Sequence, residues 1–269
     1  MPIIKSFPPF LKAILREQLR KIRRNSSDRA LSKQLRLLLH RHLFEGENLS
    51  QHYGDQPLDD VGLQSVTKTF ILERIRFIEE CLSREVILAG KFADVGDSSG
   101  IFLKALGKPG VSVNISLPPL LNIQRKGIQT VQANIEFLPL LDGSVDHVLC
   151  FEVIEHAPNP ILALRELRRV CSTNVFVSIP HVTKTRVYPA AYDSTRPQGE
   201  LHIFEPSHED FTHLLSHTGL KLKSWHVVRV LIPEGGYEKL AFGLWSCFFN
   251  RDIFYGVLRK FSVYHLCKA

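Results

Sequence analysis

The sequence lacks any paired-cysteine motif. Its five cysteines, Cys81, Cys150, Cys171, Cys247 and Cys267, are odd in number and no two are separated by two residues, which argues against a disulfide framework and a zinc ribbon and fits a reducing cytoplasm. No apolar run approaches the ~20 residues a membrane helix needs, although LAFGLWSCFF at 240–249 is apolar for a surface segment. The opening MPIIKSFPPF has no charged stretch leading into a long apolar one, so no signal peptide is expected. Nothing repeats at a fixed period, and no segment is low in complexity.

Acidic residues are short in the first 50 positions, where eleven Lys or Arg face four acids. That excess equals the formal net charge of +7 for all 269 residues, so the remainder is neutral. Within it, Leu11, Ile14, Leu15, Leu19 and Ile22 recur at helical spacing after Pro8 and Pro9, among Lys12, Arg16, Arg20, Lys21, Arg23 and Arg24. Such a basic amphipathic helix can touch an anionic membrane surface or nucleic acid, or pack on a main domain with its basic face in solvent. With 44% hydrophobic residues the chain can bury a full core, and its length suits one large α/β domain with an appendage: a helical extension over 1–60 and a domain over 61–269.

Over that domain, helical and strand patterns alternate. A helix is expected at 61–82, then strand 90–95, helix 100–107, strand 111–115, helix 118–126 and strand 128–132. Strand 146–151, helix 159–170, strand 174–179, helix 207–218 and strand 222–231 follow. Alternation of this kind specifies a mostly parallel, Rossmann-like sheet with helices on both faces and ligand loops at the carboxyl ends of its strands.

One such loop is ADVGDSSG, residues 93–100. A dinucleotide turn needs a middle glycine so that the backbone can approach pyrophosphate, and here that place is Ser98. No GKS or GKT follows, which excludes a P-loop. Two acids, Asp94 and Asp97, repel phosphate but suit a ligand bearing an ammonium or sulfonium.

Four stretches in order resemble the class I S-adenosylmethionine-dependent methyltransferases, of type 11 or the ubiquinone-biosynthesis kind, over roughly residues 88–230. They are ADVGDSSG, VSVNIS, ANIEFLPLLDGSVDHVLCFEVIEHAPNPILALRELRRV and HIFEPSHEDFTHLLSHTGL. The resemblance implies a seven-stranded sheet, S-adenosyl-L-methionine as cofactor, and methyl transfer to a small-molecule, glycan or lipid acceptor. By position it implies that Asp94, Gly96, Asp97, Ser98 and Gly100 hold the methionine part. Asn114 stands where the family usually has an acid on the ribose hydroxyls, Asn134 where an acid faces the adenine amino group, with Ile135 beside it; Phe151 lines the methionine end.

The string EVIEH at 152–156 offers oxygen and nitrogen ligands, but a local hydrogen-bonding role is expected there and no metal. If the acceptor is a hydroxyl, a base helps, and His181, His156 and His202 are the candidates. The segment 182–201, polar and punctuated by Pro189, Pro197 and Gly199, reads as a substrate lid with Tyr188, Tyr192 and Arg196 as contacts. The apolar segment 233–261 could be core, a dimer face or a wall for a lipid-like acceptor. Nucleic acid fits less well, because FEVI replaces the Asn/Asp-Pro-Pro-aromatic string of base-amino enzymes. The alternatives are a binding or scaffolding module that has lost the cofactor, and an RNA 2′-O-methyltransferase.

Overall fold

The computed structural model describes residues 61–107, 110–188, 202–231 and 258–269. The basic N-terminal helix, Cys247, most of the expected lid with Tyr192 and Arg196, and the 240–249 stretch lie outside them. Helix α1 (Val61–Cys81) matches the long helix expected there. Ser83 then caps a short α2 (Arg84–Ala89), its hydroxyl accepting from the Val86 N–H at 3.4 Å. The sequence pattern had not marked α2.

Five parallel strands follow: β1 (Phe92–Val95), β2 (Gly110–Asn114), β3 (Gln129–Gln132), β4 (Val145–Phe151) and β5 (Cys171–Pro180). Helices α3 (Ile101–Leu106), α4 (Leu117–Gln124) and α5 (Pro160–Val170) make the crossovers. At α5 the Asn159 side chain accepts from Leu162 N–H, and Pro160 occupies the first turn, where its missing N–H costs nothing. Two-residue strands β6 (Arg186–Val187) and β7 (Phe204–Glu205) pair antiparallel as a separate ribbon. The segment read as a lid therefore begins with an ordered strand. Helix α6 (His208–Ser216), capped by Ser207, leads into β8 (Leu220–Leu231), and β9 (Leu258–Lys268) closes the chain.

The main sheet runs β3-β2-β1-β4-β5-β9-β8. β9 lies between β5 and β8 and is antiparallel to both. Residues from 258 onward form an interior strand that the helix-strand alternation had not marked, so the end of the 233–261 segment belongs to the core.

Side chains along a strand alternate between faces. Ala93, Val95, Val148, Cys150, Val175 and Val177 share one core with residues of α5 and α6. Their neighbours point to the α1 side, where the Phe77 ring meets Phe176 at 6.3 Å and Phe70 meets Phe261 at 4.2 Å. Asp94, between Ala93 and Val95, consequently points toward α1. No described helix is long and apolar enough to cross a membrane.

Away from the ligand edge, His265 of β9 is 5% exposed. Its ring stacks on Phe176 at 4.7 Å and its Nε2 lies 2.8 Å from Asn174 Oδ1. Burial, then the charges of Lys223 and His147, push its pKa from 6.5 down to about 4. In the folded state it stays neutral while the unfolded chain takes up a proton below about pH 6.5, so stability must fall as pH drops through that window. Urea midpoints should show a loss of about 2 kcal/mol between about pH 7.5 and about pH 5 from this site. His265→Gln should flatten that part of the slope, and an unchanged slope would contradict the assignment.

Candidate active site

The strand order reverses direction between β1 and β4, and loops leaving the two strands there open a crevice. The turn after β1 builds its floor. Asp97 Oδ1 accepts the N–H groups of Ser99 at 2.9 Å and Gly100 at 2.7 Å, folding the chain back into α3. Gly96 adopts φ +85° and donates its N–H to the Val113 carbonyl at 2.7 Å. A Cβ there would lie 2.2 Å from Val153 Cγ2, so only glycine lets the β4 loop close over the turn. At Gly100, φ +73°, a Cβ would meet Ile128 Cδ1 at 2.7 Å.

A cleft of about 220 Å³ sits above this floor. Val95, Val113, Ile115, Ala133, Ile135 and Ala157 give it apolar walls, and Asn114, Glu152 and His156 supply polar groups. Of the expected cofactor residues, Gly96, Asn114 and Ile135 line it directly. Asp94, Asp97 and Gly100 lie behind it as buried groups. Phe151 packs on Phe102 at 4.8 Å, behind the lining residues.

The two asparagines are tied into their own loops. Asn114 Nδ2 donates to the Asp97 carbonyl at 2.7 Å and its Oδ1 accepts from Ser116 N–H at 2.8 Å. The amide thus braces the glycine turn against the start of α4, and one N–H and one lone pair remain for a ligand. Asn134 Oδ1 accepts from Glu136 N–H at 2.9 Å, opening a local turn beside the cleft wall. Asp142 and Asp146 hold the chain around the start of β4. Asp142 pairs with Arg169, which also donates to the Leu138 and Leu140 carbonyls, and Asp146 accepts from Lys91 N–H.

Charge is concentrated behind the cleft. Asp94 is 2% exposed, and burial, then the Asp97 charge, push its carboxyl well up, against the pull of Arg74. Asp94 Oδ2 and Asp97 Oδ2 make no hydrogen bond among the described residues. Arg74 enters from α1, with Nη2 3.0 Å from Glu152 Oε1 and its guanidinium 5.3 Å from the ring centres of Phe151 and Phe261. Ser178 Oγ donates to the same carboxylate at 2.7 Å. Glu152 itself has φ +57°, the one non-glycine residue with positive φ among those described, and such strain persists only where surrounding contacts over-determine it. Sequence reasoning did not select Arg74. Its signal was a charge on the stripe Phe70, Ile71, Arg74, Ile75, Ile78 of a helix face, where an unpaired cation is costly.

At the rim, the 3-10 turn Ile154–His156 carries the rest of EVIEH. Glu155 is fully buried, and burial, then the neighbouring Glu152 charge, push its carboxyl well up. One atom each of Glu155, His156 and His202 falls within 4.8 Å of the others, and the two imidazoles meet edge to face at 4.8 Å. His202 is held from behind by Glu205, whose Oε1 its Nδ1 contacts. His181 lies apart from this group, with Nδ1 2.9 Å from Ser262 Oγ on β9, and it is not among the residues lining the cleft.

These residues fit S-adenosylmethionine. Buried carboxylates with unpartnered oxygens, Asp94 and Asp97, suit a ligand carrying positive groups. A turn that no Cβ could enter lets backbone approach it, and Ala133, Ile135 and Pro158 offer apolar contact for a flat ring.

Comparison with known proteins points the same way. Residues 93–179 match the family model described as a methyltransferase domain. A candidate sarcosine dimethylglycine methyltransferase from Galdieria sulphuraria shares the fold at a TM-score of 0.55 and 13% identity, covering 87% of this chain and 98% of that one. An S-adenosylmethionine-dependent methyltransferase from Thermotoga maritima aligns at a TM-score of 0.47 and 17% identity, over 85% of this chain and 99% of that one. No curated protein matches in sequence. With the matched segment spanning β1 to β5 and the 3-2-1-4-5 strand order, residues 93–179 carry a class I S-adenosylmethionine-dependent methyltransferase domain of type 11.

Proposed function

We propose that the chain transfers the methyl group to a small-molecule, glycan or lipid acceptor seated over the cleft mouth. The observation that carries this reading is the juxtaposition of a cation-suited floor, Asp94 to Gly100, with imidazoles at the rim. When bound, the cofactor supplies a methyl group already activated on a sulfonium. The chain's part is then to orient the acceptor and exclude water, which can supply up to ~7–11 kcal/mol of a barrier. Asp94, Asp97 and the Gly96–Gly100 backbone would take the methionine part, Asn114 the ribose, and Asn134 with Ile135 the adenine.

His156, which lines the cleft, and His202, whose ring meets the His156 ring at 4.8 Å, are the bases we favour over His181, which faces Ser262 of β9. The segment 182–201 is the proposed lid, 233–257 the proposed acceptor wall, and 1–60 the extension proposed to touch an anionic membrane. The reading places the protein in a reducing cytoplasm, consistent with the four described cysteines being free.

Incubating cell extract with labelled S-adenosylmethionine should yield one labelled low-molecular-weight, glycan or lipid product. Label appearing only in RNA would redirect the reading to 2′-O-methylation. Absence of cofactor binding by calorimetry at millimolar concentration would favour the scaffolding alternative.

A further inference from the structure

Glu205, within the stretch HIFEPSHEDFTHLLSHTGL, was not singled out in the sequence, yet it is a buried carboxylate beside the histidines. On β7 it is 1% exposed, and three side chains converge on it. His202 Nδ1 contacts Oε1, Tyr188 O–H donates to Oε2 at 2.9 Å, and Arg186 Nη1 lies 3.5 Å from Oε2. The backbone fixes all of these groups together. Arg186 and Glu205 are register partners in the β6–β7 ribbon, Tyr188 N–H donates to the Ile203 carbonyl at 3.0 Å, and Ile203 N–H donates to the Glu155 carbonyl at 2.8 Å. The ribbon is therefore tied to the turn bearing His156, and His202 is pinned between that imidazole and Glu205.

We propose that Glu205 is the positioning residue for a His202 general base, and that the acceptor's reacting group is accordingly a hydroxyl, which must shed a proton as it is methylated. This rests on the methyl-transfer reading above. A carboxylate against Nδ1 selects the tautomer with the proton there, so Nε2 keeps the lone pair that can accept a proton. The same logic holds wherever a buried acid orients a catalytic imidazole. In the step, the acceptor oxygen's lone pair forms the new bond to the methyl carbon and the carbon–sulfur bond breaks with its pair passing to sulfur. The O–H proton goes to His202 Nε2. The imidazolium is stabilised by Glu205 until it returns the proton to water. Tyr188 and Arg186 hold the carboxylate's second oxygen, so Oε1 stays directed at the ring.

The test reads the tautomer directly and needs no acceptor. In 15N-histidine-labelled full-length protein, with His202→Gln used for assignment, His202 should show a protonated Nδ1 and an unprotonated Nε2 at mildly alkaline pH. Glu205→Ala should move the population toward the Nε2–H form that free imidazole prefers. Glu205→Gln keeps an oxygen for Nδ1–H and should restore the wild-type pattern if Glu205→Ala proves poorly folded. With a hydroxyl acceptor in hand, Glu205→Ala should lower kcat about 100-fold while leaving the S-adenosylmethionine Kd within about twofold. Wild-type protein in the Nε2–H form, or a tautomer indifferent to Glu205→Ala, would overturn the proposal. So would a His202 signal that changes only with added magnesium, manganese or zinc ions and reverts with chelator, since His202 would then be a metal ligand. An Nδ1–H tautomer in protein that binds no S-adenosylmethionine would instead sink the methyl-transfer reading.

Discussion

Gly96→Arg is expected to weaken S-adenosylmethionine binding by more than about 100-fold, which is more than about 2.7 kcal/mol, while the far-UV spectrum and cooperative unfolding persist. The reason is local. The position holds φ +85°, and the first carbon of any side chain would sit 2.2 Å from Val153 Cγ2, inside the contact that seals the cleft floor. Arginine adds a cation where the site is arranged to receive one. Gly143→Ala is the control, because φ is also positive there, at +62°, but nothing lies within 4 Å of the added carbon. That change should cost about 1 kcal/mol of stability and leave binding alone. Isothermal titration of both variants decides the matter, and near-normal binding by Gly96→Arg would place the cofactor elsewhere. Asp94→Ala should also abolish binding, since it removes the buried carboxylate directly behind the turn. Lys12→Ala and Arg16→Ala should bind normally.

Arg74→Ala should be the most damaging change to stability among the site residues, on the order of 3 kcal/mol. Removing the guanidinium strips the ion pair from Glu152 and withdraws the charge that opposes the upward shifts of Asp94 and Glu155. It also leaves a void between the Phe70, Phe151 and Phe261 rings, on which the guanidinium rests. Arg74→Met combined with Glu152→Gln separates the two contributions. The methionine refills the apolar space and the amide no longer needs a cation, so the pair should recover more than half of the lost stability in chemical denaturation. Cofactor affinity should stay low in the double variant, because the carboxylate cluster has lost its organising charge. A double variant no more stable than Arg74→Ala would show that packing and pairing at Arg74 are not what hold this region.

The turn and its neighbours were legible because their chemistry is consecutive in the chain. Asp97 folds back onto Ser99 and Gly100 within three residues, and Asn134 onto Glu136 within two. Such closures depend on local backbone and short side chains, which a reading of the sequence can weigh. The strands β1, β4 and β5 were legible for a similar reason, since buried parallel strands carry near-continuous apolar runs. Asn114 ends β2 at the cleft, a place that follows from strand order, whereas its brace to the Asp97 carbonyl, seventeen residues away, does not.

Residues that act across long separations were not legible. Arg74 and Glu152 are adjacent only because α1 packs over the face of β4 and β5 to which Asp94 and Phe151 also point. Glu205 becomes a partner of His202 and Tyr188 only when the β6–β7 ribbon forms. His181 and His202 were both candidates by residue type, and the difference between them is which group faces each ring. One meets a serine of β9 and the other a carboxylate of β7. The last strand shows the same limit, because FSVYHLCK reads as a plausible strand alone but nothing in it says that it inserts between β5 and β8.

The sequence by itself determined the class of the fold and the character of the ligand. Alternating apolar periods specify a parallel sheet with covered faces, and two acids in a glycine turn without a phosphate loop's glycine suit a ligand bearing positive charge. Only the tertiary structure decided which cation stands near Asp94, which imidazole faces a buried carboxylate, and where the antiparallel strand enters. Those outcomes depend on burial and on side chains brought together from distant segments, and desolvation, which makes a buried charge demand its partner, exists only once the chain has folded.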